Sequence, residues 1–262
     1  MIEEIAFNPG NGVFGVLTRP DTPSNRPAIV LLSAGFIHRP GPFRMHVELA
    51  RRLAGEGFAV ARLDLPGVGD APAPTDPDDV RVITQALDAI GAPLGINRFV
   101  VGGLCSAADL GWKTCLADPR VCGLILLDGV ARRGFWYRAG QAQMLLSRGA
   151  RSITRSILSR LSMRRRPAIL MPDTRDWPKP GEERGELERM LSRDVEVFAL
   201  YTGGSPDYFT HHAQFRATFG RAAAHPNVHF RFWPDCDHMF MRKTDRDRLI
   251  DEVRTWCDDA FA

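Results

Sequence analysis

The chain is expected to fold as an α/β domain on a mostly parallel sheet, and three observations carry that expectation. Short, continuously apolar runs alternate with helix-patterned segments along most of the 262 residues. One such run, Phe99-Val100-Val101-Gly102-Gly103-Leu104, passes directly into Cys105-Ser106-Ala107, a strand running into a turn flanked by small residues. Residues 130–190 break the rhythm with no clear strand, as an inserted helical segment would.

The elements follow in order. Residues 3–7 and 12–18 read as an antiparallel pair around the turn formers Asn8 to Gly12. Pro27 to Ser33 is an apolar run of strand length without polar alternation, the pattern of a strand covered on both faces. A helix near 43–55 ends at Gly55 and Gly57, and a buried strand occupies 58–63. Helix 77–91 is expected to start behind the capping types Thr75 and Asp76, with Pro77 in its first turn. Strand 98–103 leads into the turn and a helix over 106–117, and strands at 121–127, 195–201 and 228–233 bring the sheet to eight. Residues 244–259 place Leu249, Ile250, Val253, Trp256 and Cys257 at helical spacing. The expected division is a core of 1–129 and 191–262 with a helical cap at 130–190.

Composition narrows the function classes. An apolar content of 44% over this length supports one sizeable core. A net charge of +3 gives no reason to expect nucleic acid, and no apolar run approaches the roughly 20 residues that span a bilayer. Cysteines at 105, 115, 122, 236 and 257 form an odd set without metal-ligand spacing behind an acidic start, so a reducing, cytoplasmic setting with no metal and no cofactor is expected.

The turn at Cys105 has the form of a nucleophile elbow. The residues two before and two after the nucleophile must be small, or their side chains collide. Gly103 and Ala107 satisfy this around Cys105, whereas centring on Ser106 puts the branched Leu104 at the crowded position. A second loop, Asp64-Leu65-Pro66-Gly67-Val68-Gly69, matches an Asp-X-Pro-Gly-X-Gly pattern whose glycines shape a turn. With the order strand, elbow, inserted helices, acid loop and terminal histidine, the chain resembles the α/β-hydrolase superfamily over nearly its whole length.

That resemblance implies partners for the thiol, which is only a few per cent ionised at neutral pH and needs a base. His238, in the loop after the last strand, stands at the superfamily's histidine position. Asp207, in Thr202-Gly203-Gly204-Ser205-Pro206-Asp207, fits its glycine-then-aspartate loop and is the expected acid, with Asp128 after the sixth strand as the alternative. The implied oxyanion donors are the backbone N–H groups of Ser106 and Phe36, with Gly35 letting the backbone approach. Phe135, Trp136, Tyr137 and Met144 are candidates for an apolar substrate lining.

Between Asp128 and Asp173 lie ten arginines, at 132, 133, 138, 148, 151, 155, 160, 164, 165 and 166, and no acidic residue. Such a surface is suited to steering an acidic partner, either coenzyme A with its phosphates or an acidic carrier protein bearing a thioester. Cysteine elbows of this kind resemble those of dienelactone hydrolases, polyester synthases, exosortase-associated hydrolases and aminoacyl shuttle transferases. The basic helical segment fits the last two best. The expected activity is acyl transfer through an acyl-cysteine intermediate, ending in thioester or ester hydrolysis or in transfer to a thiol or amine. A non-catalytic binding protein on the same scaffold is the reading from another class.

Overall fold

A computed structural model describes residues 2–22, 24–35, 37–74, 76–147, 175 and 177–262. Its centre is an eight-stranded sheet: β1 (Glu3–Gly10), β2 (Val13–Arg19), β3 (Ala28–Leu32), β4 (Val60–Asp64), β5 (Phe99–Leu104), β6 (Val121–Leu127), β7 (Glu196–Thr202) and β8 (Val228–Trp233), in the order β1-β2-β4-β3-β5-β6-β7-β8. The first two pairings, β1 with β2 and β2 with β4, are antiparallel, and the rest are parallel.

Strand chemistry explains the two layers of core. In β3, Ala28, Val30 and Leu32 enter one apolar cluster while Ile29 and Leu31 enter the other. β7 divides likewise, Val197, Ala199 and Tyr201 facing one way and Phe198 and Leu200 the other. A period of two with apolar residues in both phases is what a sheet covered on both faces requires. Helices α1 (Met45–Gly55) and α7 (Lys243–Ala260) cover one face. Helices α2 (Asp79–Leu94), α3 (Ser106–Ala117), α5 (Glu182–Leu191) and α6 (Ala213–Phe219) cover the other.

Two expectations change in detail. Helix α2 starts at Asp79, not 77, because Asp78 is its cap and accepts the Arg81 N–H at 3.1 Å. Asp76 instead accepts the Asp78 N–H and pairs with Arg81. Between β6 and β7 the described residues form α4 (Phe135–Ser147) and α5, and α5 is tied to α3 by the 2.6 Å hydrogen bond from Trp112 Nε1 to Glu186. Part of the stretch expected as a cap therefore packs into the helical layer. Among the described residues no helix is long and apolar enough to cross a membrane.

Candidate active site

The elbow is held by sterics at both ends. Cys105 adopts φ 59° and ψ −120° between β5 and α3, a conformation that costs a non-glycine residue of order 1–3 kcal/mol and persists only where its surroundings impose it. A Cβ on Gly103 would lie 2.9 Å from the Ala107 Cβ and 3.1 Å from the Leu32 carbonyl oxygen, so sterics impose the small-residue requirement in this turn. A Cβ on Gly102 would meet the Ile125 carbonyl oxygen at 2.0 Å. The Cys105 sulfur is half-buried and lies 3.7 Å from Nη1 of Arg175, and His238 and the Ser106 N–H both act to lower its thiol.

His238 comes from the loop after β8, which Asp237 shapes by accepting the N–H groups of Met239 and Met241. Its Nδ1 lies 2.7 Å from Asp128 Oδ2, leaving Nε2 for the sulfur. Asp128 sits just past the end of β6, 2% exposed. Its Oδ1 accepts the Thr202 N–H at 2.6 Å, and its Oδ2 accepts the Thr202 hydroxyl at 2.7 Å and the Ser205 hydroxyl at 3.3 Å. Ser205 Oγ also lies 2.8 Å from His238 Nδ1.

The carboxylate that the structure brings to His238 is Asp128, not the expected Asp207. Asp207 is exposed, and the loop that carries it supplies donors to Asp128 through Thr202 and Ser205. The glycines read as heralding an aspartate do something else. A Cβ on Gly203 would lie 1.9 Å from the Pro234 carbonyl oxygen, and one on Gly204 would lie 2.0 Å from the His238 backbone nitrogen. They let the β7 loop pass beneath the histidine loop. In the sequence Asp128 was marked only as the alternative acid, by its position directly after the sixth strand.

Electrostatics follow from this geometry. Burial pushes the Cys105 thiol up, but the hydrogen bond to His238, the Arg175 charge and the Ser106 N–H outweigh it, and the thiol lies below its usual range. Burial works against the His238 charge too, yet Asp128 and Cys105 raise that imidazole to about 9. Both shifts favour a thiolate–imidazolium pair. By contrast, burial pushes the thiols of Cys115 and Cys236 up to about 12 and raises those of Cys122 and Cys257.

The remaining expected residues are distributed as follows. Gly35 turns with φ 52° and its N–H donates to Ser106 Oγ at 3.0 Å, which joins the loop after β3 to the elbow. Phe36 lies outside the described residues. A cavity of about 320 Å³ opens here, lined by Ser33, Gly35, Leu65, Ser106, Asp109 and Leu110 among others. The Asp64–Gly69 loop is structural. Asp64 is fully buried, accepts from Arg39 and from the Asp70 N–H, and leaves no room for a Cβ on Gly69, which would sit 2.4 Å from its Oδ2.

The apolar lining expected from α4 is corrected. Phe135 is 75% and Trp136 40% exposed, and Trp136 stacks on His211 with ring centres 4.9 Å apart. Tyr137 takes a hydrogen bond from Gln141 and lies under the Arg133 guanidinium, while Met144 lines a different cavity with Phe209, His211 and Phe230. The residue missed altogether is Arg175, whose place beside Cys105 no local pattern announces. Among the described residues no cluster of His, Cys, Asp or Glu could hold a metal.

Comparison with known proteins agrees with the fold. An esterase from Pyrococcus furiosus superposes with a TM-score of 0.61 at 12% identity, covering 100% of this chain and 92% of that one. An alpha-beta serine hydrolase homologue from Coxiella burnetii gives 0.57 at 12% identity over 99% and 97%. Mouse alpha/beta hydrolase domain-containing protein 10 gives 0.56 at 14% identity over 98% and 99%. At such identities the likeness is one of fold. No curated protein matches in sequence. The sequence model of the alpha/beta hydrolase family does match, over residues 29–252, a span from the first parallel strand through the elbow to the last helix. With sheet order, elbow and family model in agreement, the chain belongs to the alpha/beta hydrolase family.

Proposed function

We propose that this protein is an acyl-transfer enzyme in which Cys105 is the nucleophile, His238 the base and then the acid, and Asp128 the group that orients and charges the imidazole. The single observation that carries the reading is the linked set Cys105–His238–Asp128, with the thiol lowered and the imidazole raised. In the first step the Cys105 thiolate attacks the acyl carbonyl and the imidazolium gives its proton to the departing thiolate or alkoxide. In the second, His238 takes a proton from water, the hydroxide attacks the acyl-cysteine, and collapse releases the carboxylic acid and the thiolate. The Ser106 N–H at the start of α3 supports the oxyanion in both steps, and Phe36 is the proposed second donor.

The proposed donor is an acyl thioester or ester. Thioesters are favoured because exchange with a cysteine thiolate is nearly isoenergetic. Arg132 is drawn into the fold by Glu183 at 3.3 Å. Arg133 and Arg138 lie among the described residues, and the seven arginines from 148 to 166 lie outside them. The proposed partner of that charge is coenzyme A or an acidic carrier protein. This keeps the exosortase-associated hydrolases and aminoacyl shuttles as the subgroups the chain resembles. The uniform sign of the arginine segment favours one further reading, transfer of the acyl group to a second carrier thiol.

The test is incubation with a panel of acyl–coenzyme A and acyl–carrier thioesters, with and without a second carrier. Free acid released by the parent and not by Cys105→Ala supports hydrolysis. Acyl appearing on the second carrier faster than as free acid selects transfer. Turnover that Cys105→Ala retains, or no turnover of any donor, contradicts the proposal and favours the non-catalytic binding scaffold.

A further inference from the structure

The sulfur of Cys105 has a second charged neighbour that the triad does not require. Arg175 lies with its side chain 5% exposed against Asp109, itself 2% exposed, on the first turn of α3. Nε donates to Asp109 Oδ2 at 2.6 Å and Nη2 to Oδ1 at 3.0 Å, a two-point fork, while Nη1 points the other way and lies 3.7 Å from the Cys105 sulfur. The guanidinium also lies over the rings of Trp177 and Tyr208, 5.0 and 5.1 Å from their centres. Three sides of the group are thus fixed by an acid and two aromatic rings, and the fourth faces the reacting atom.

We propose that Arg175 is a catalytic residue: it places a second cation against the Cys105 sulfur, so that the nucleophile rests as a thiolate between His238 and Arg175, and Asp109 holds the guanidinium in that position. The inference rests on the reading of Cys105 as the nucleophile. Three features support it beyond proximity. The fork geometry uses the two nitrogens remote from the sulfur and leaves the third to face it, so the carboxylate lies beyond the cation and cancels only part of its field. Both members of the ion pair are withdrawn from water, where a charge acts on its neighbour far more strongly than at a surface. A purely structural ion pair for α3 would need no donor aimed at the sulfur. Lysine could supply the charge but not the rigid two-point fork.

The step is a proton transfer within the site: the Cys105 S–H proton moves to His238 Nε2, and Arg175 remains protonated throughout, stabilising the charge left on sulfur. The experiment is the pH dependence of Cys105 alkylation by iodoacetamide, followed by intact mass and peptide mapping in the full-length parent, Arg175→Gln, Arg175→Lys and His238→Ala. An adjacent cation shifts a titration by about 1–3 units, so Arg175→Gln is expected to raise the Cys105 profile by about one unit and cut alkylation at pH 6 roughly 10-fold. Arg175→Lys is expected to restore part of that shift.

Removing the guanidinium alone leaves Asp109 as an uncompensated buried charge, which can unfold the chain. The double variant Arg175→Gln/Asp109→Asn removes both charges, leaving no uncompensated buried ion, and is expected to fold while keeping the raised profile. If the folded double variant and Arg175→Lys titrate like the parent while His238→Ala is raised, the role of Arg175 is overturned and the nucleophile stands. If parent Cys105 titrates as an ordinary thiol near pH 8.5 and no variant moves it, the nucleophile reading falls and this proposal with it.

Discussion

His46 is buried and His238 partly so, and they end on opposite sides of neutrality. His46 is on α1, 2% exposed, with no well-aligned hydrogen bond to either ring nitrogen, and burial pushes it down to about 4. His238 faces a buried carboxylate at 2.7 Å and a thiol, and is raised to about 9. Burial alone makes a neutral imidazole. Burial beside a fixed anion makes a charged one, and only the second can serve as both base and acid to a nucleophile.

Removing the partnered histidine should have the largest effect. His238→Ala is expected to lower turnover by about 10⁴-fold or more, as loss of a triad member does, measured as acid release from a thioester. Asp128→Asn should cost about 10⁴-fold by disfavouring the required tautomer. Asp207→Asn, an exposed change, should stay within about twofold of the parent. Equal effects at the two aspartates would break the comparison at its root.

The unpartnered histidine is next. Its folded value of about 4 lies below the unfolded value near 6.5, so between these pH values the unfolded chain binds the extra proton. Stability therefore falls as pH drops through that window, by about 3 kcal/mol in all. Denaturant titrations at pH 7 and pH 4.5 should show the parent losing about 2 kcal/mol more than His46→Met. His238 has the opposite sign: its raised value stabilises the fold below about pH 6.5, and that contribution is lost as pH rises through about 9. A loss between pH 8 and 10 that is absent in Asp128→Asn would sharpen the contrast.

Ser205 should show the smallest effect. Its hydroxyl bridges His238 Nδ1 and Asp128 Oδ2, and one such neutral hydrogen bond contributes about 1 kcal/mol, so Ser205→Ala should slow turnover roughly 5-fold. An effect as large as that of Asp128→Asn would assign the serine a different role.

The sheet and the elbow were legible because their signals are local. A buried parallel strand is a short apolar run, and β6 and β8 run over the residues expected of them. The requirement for Gly103 and Ala107 likewise acts over five residues of sequence. What was legible only as an alternative, or not at all, is long-range. Asp128 meets His238 across 110 positions, and Arg175 reaches Cys105 across 70. The loop glycines suggested an acid because their role, making room for the histidine loop, is invisible until β7 and β8 are side by side. Helix α4, expected to line the site, instead leaves Phe135 and Trp136 exposed, since the presence of large apolar residues on a helix does not say which surface, if any, buries them.

The account stands or falls on which atom carries the acyl group. Acid quenching of the full-length protein during turnover of an acyl thioester, followed by peptide mapping, is predicted to find the acyl mass on Cys105, accumulating in Asp128→Asn if deacylation is slowed more than acylation. Acyl found on Ser106, or free acid formed while Cys105 stays unmodified and Cys105→Ala remains active, would contradict it.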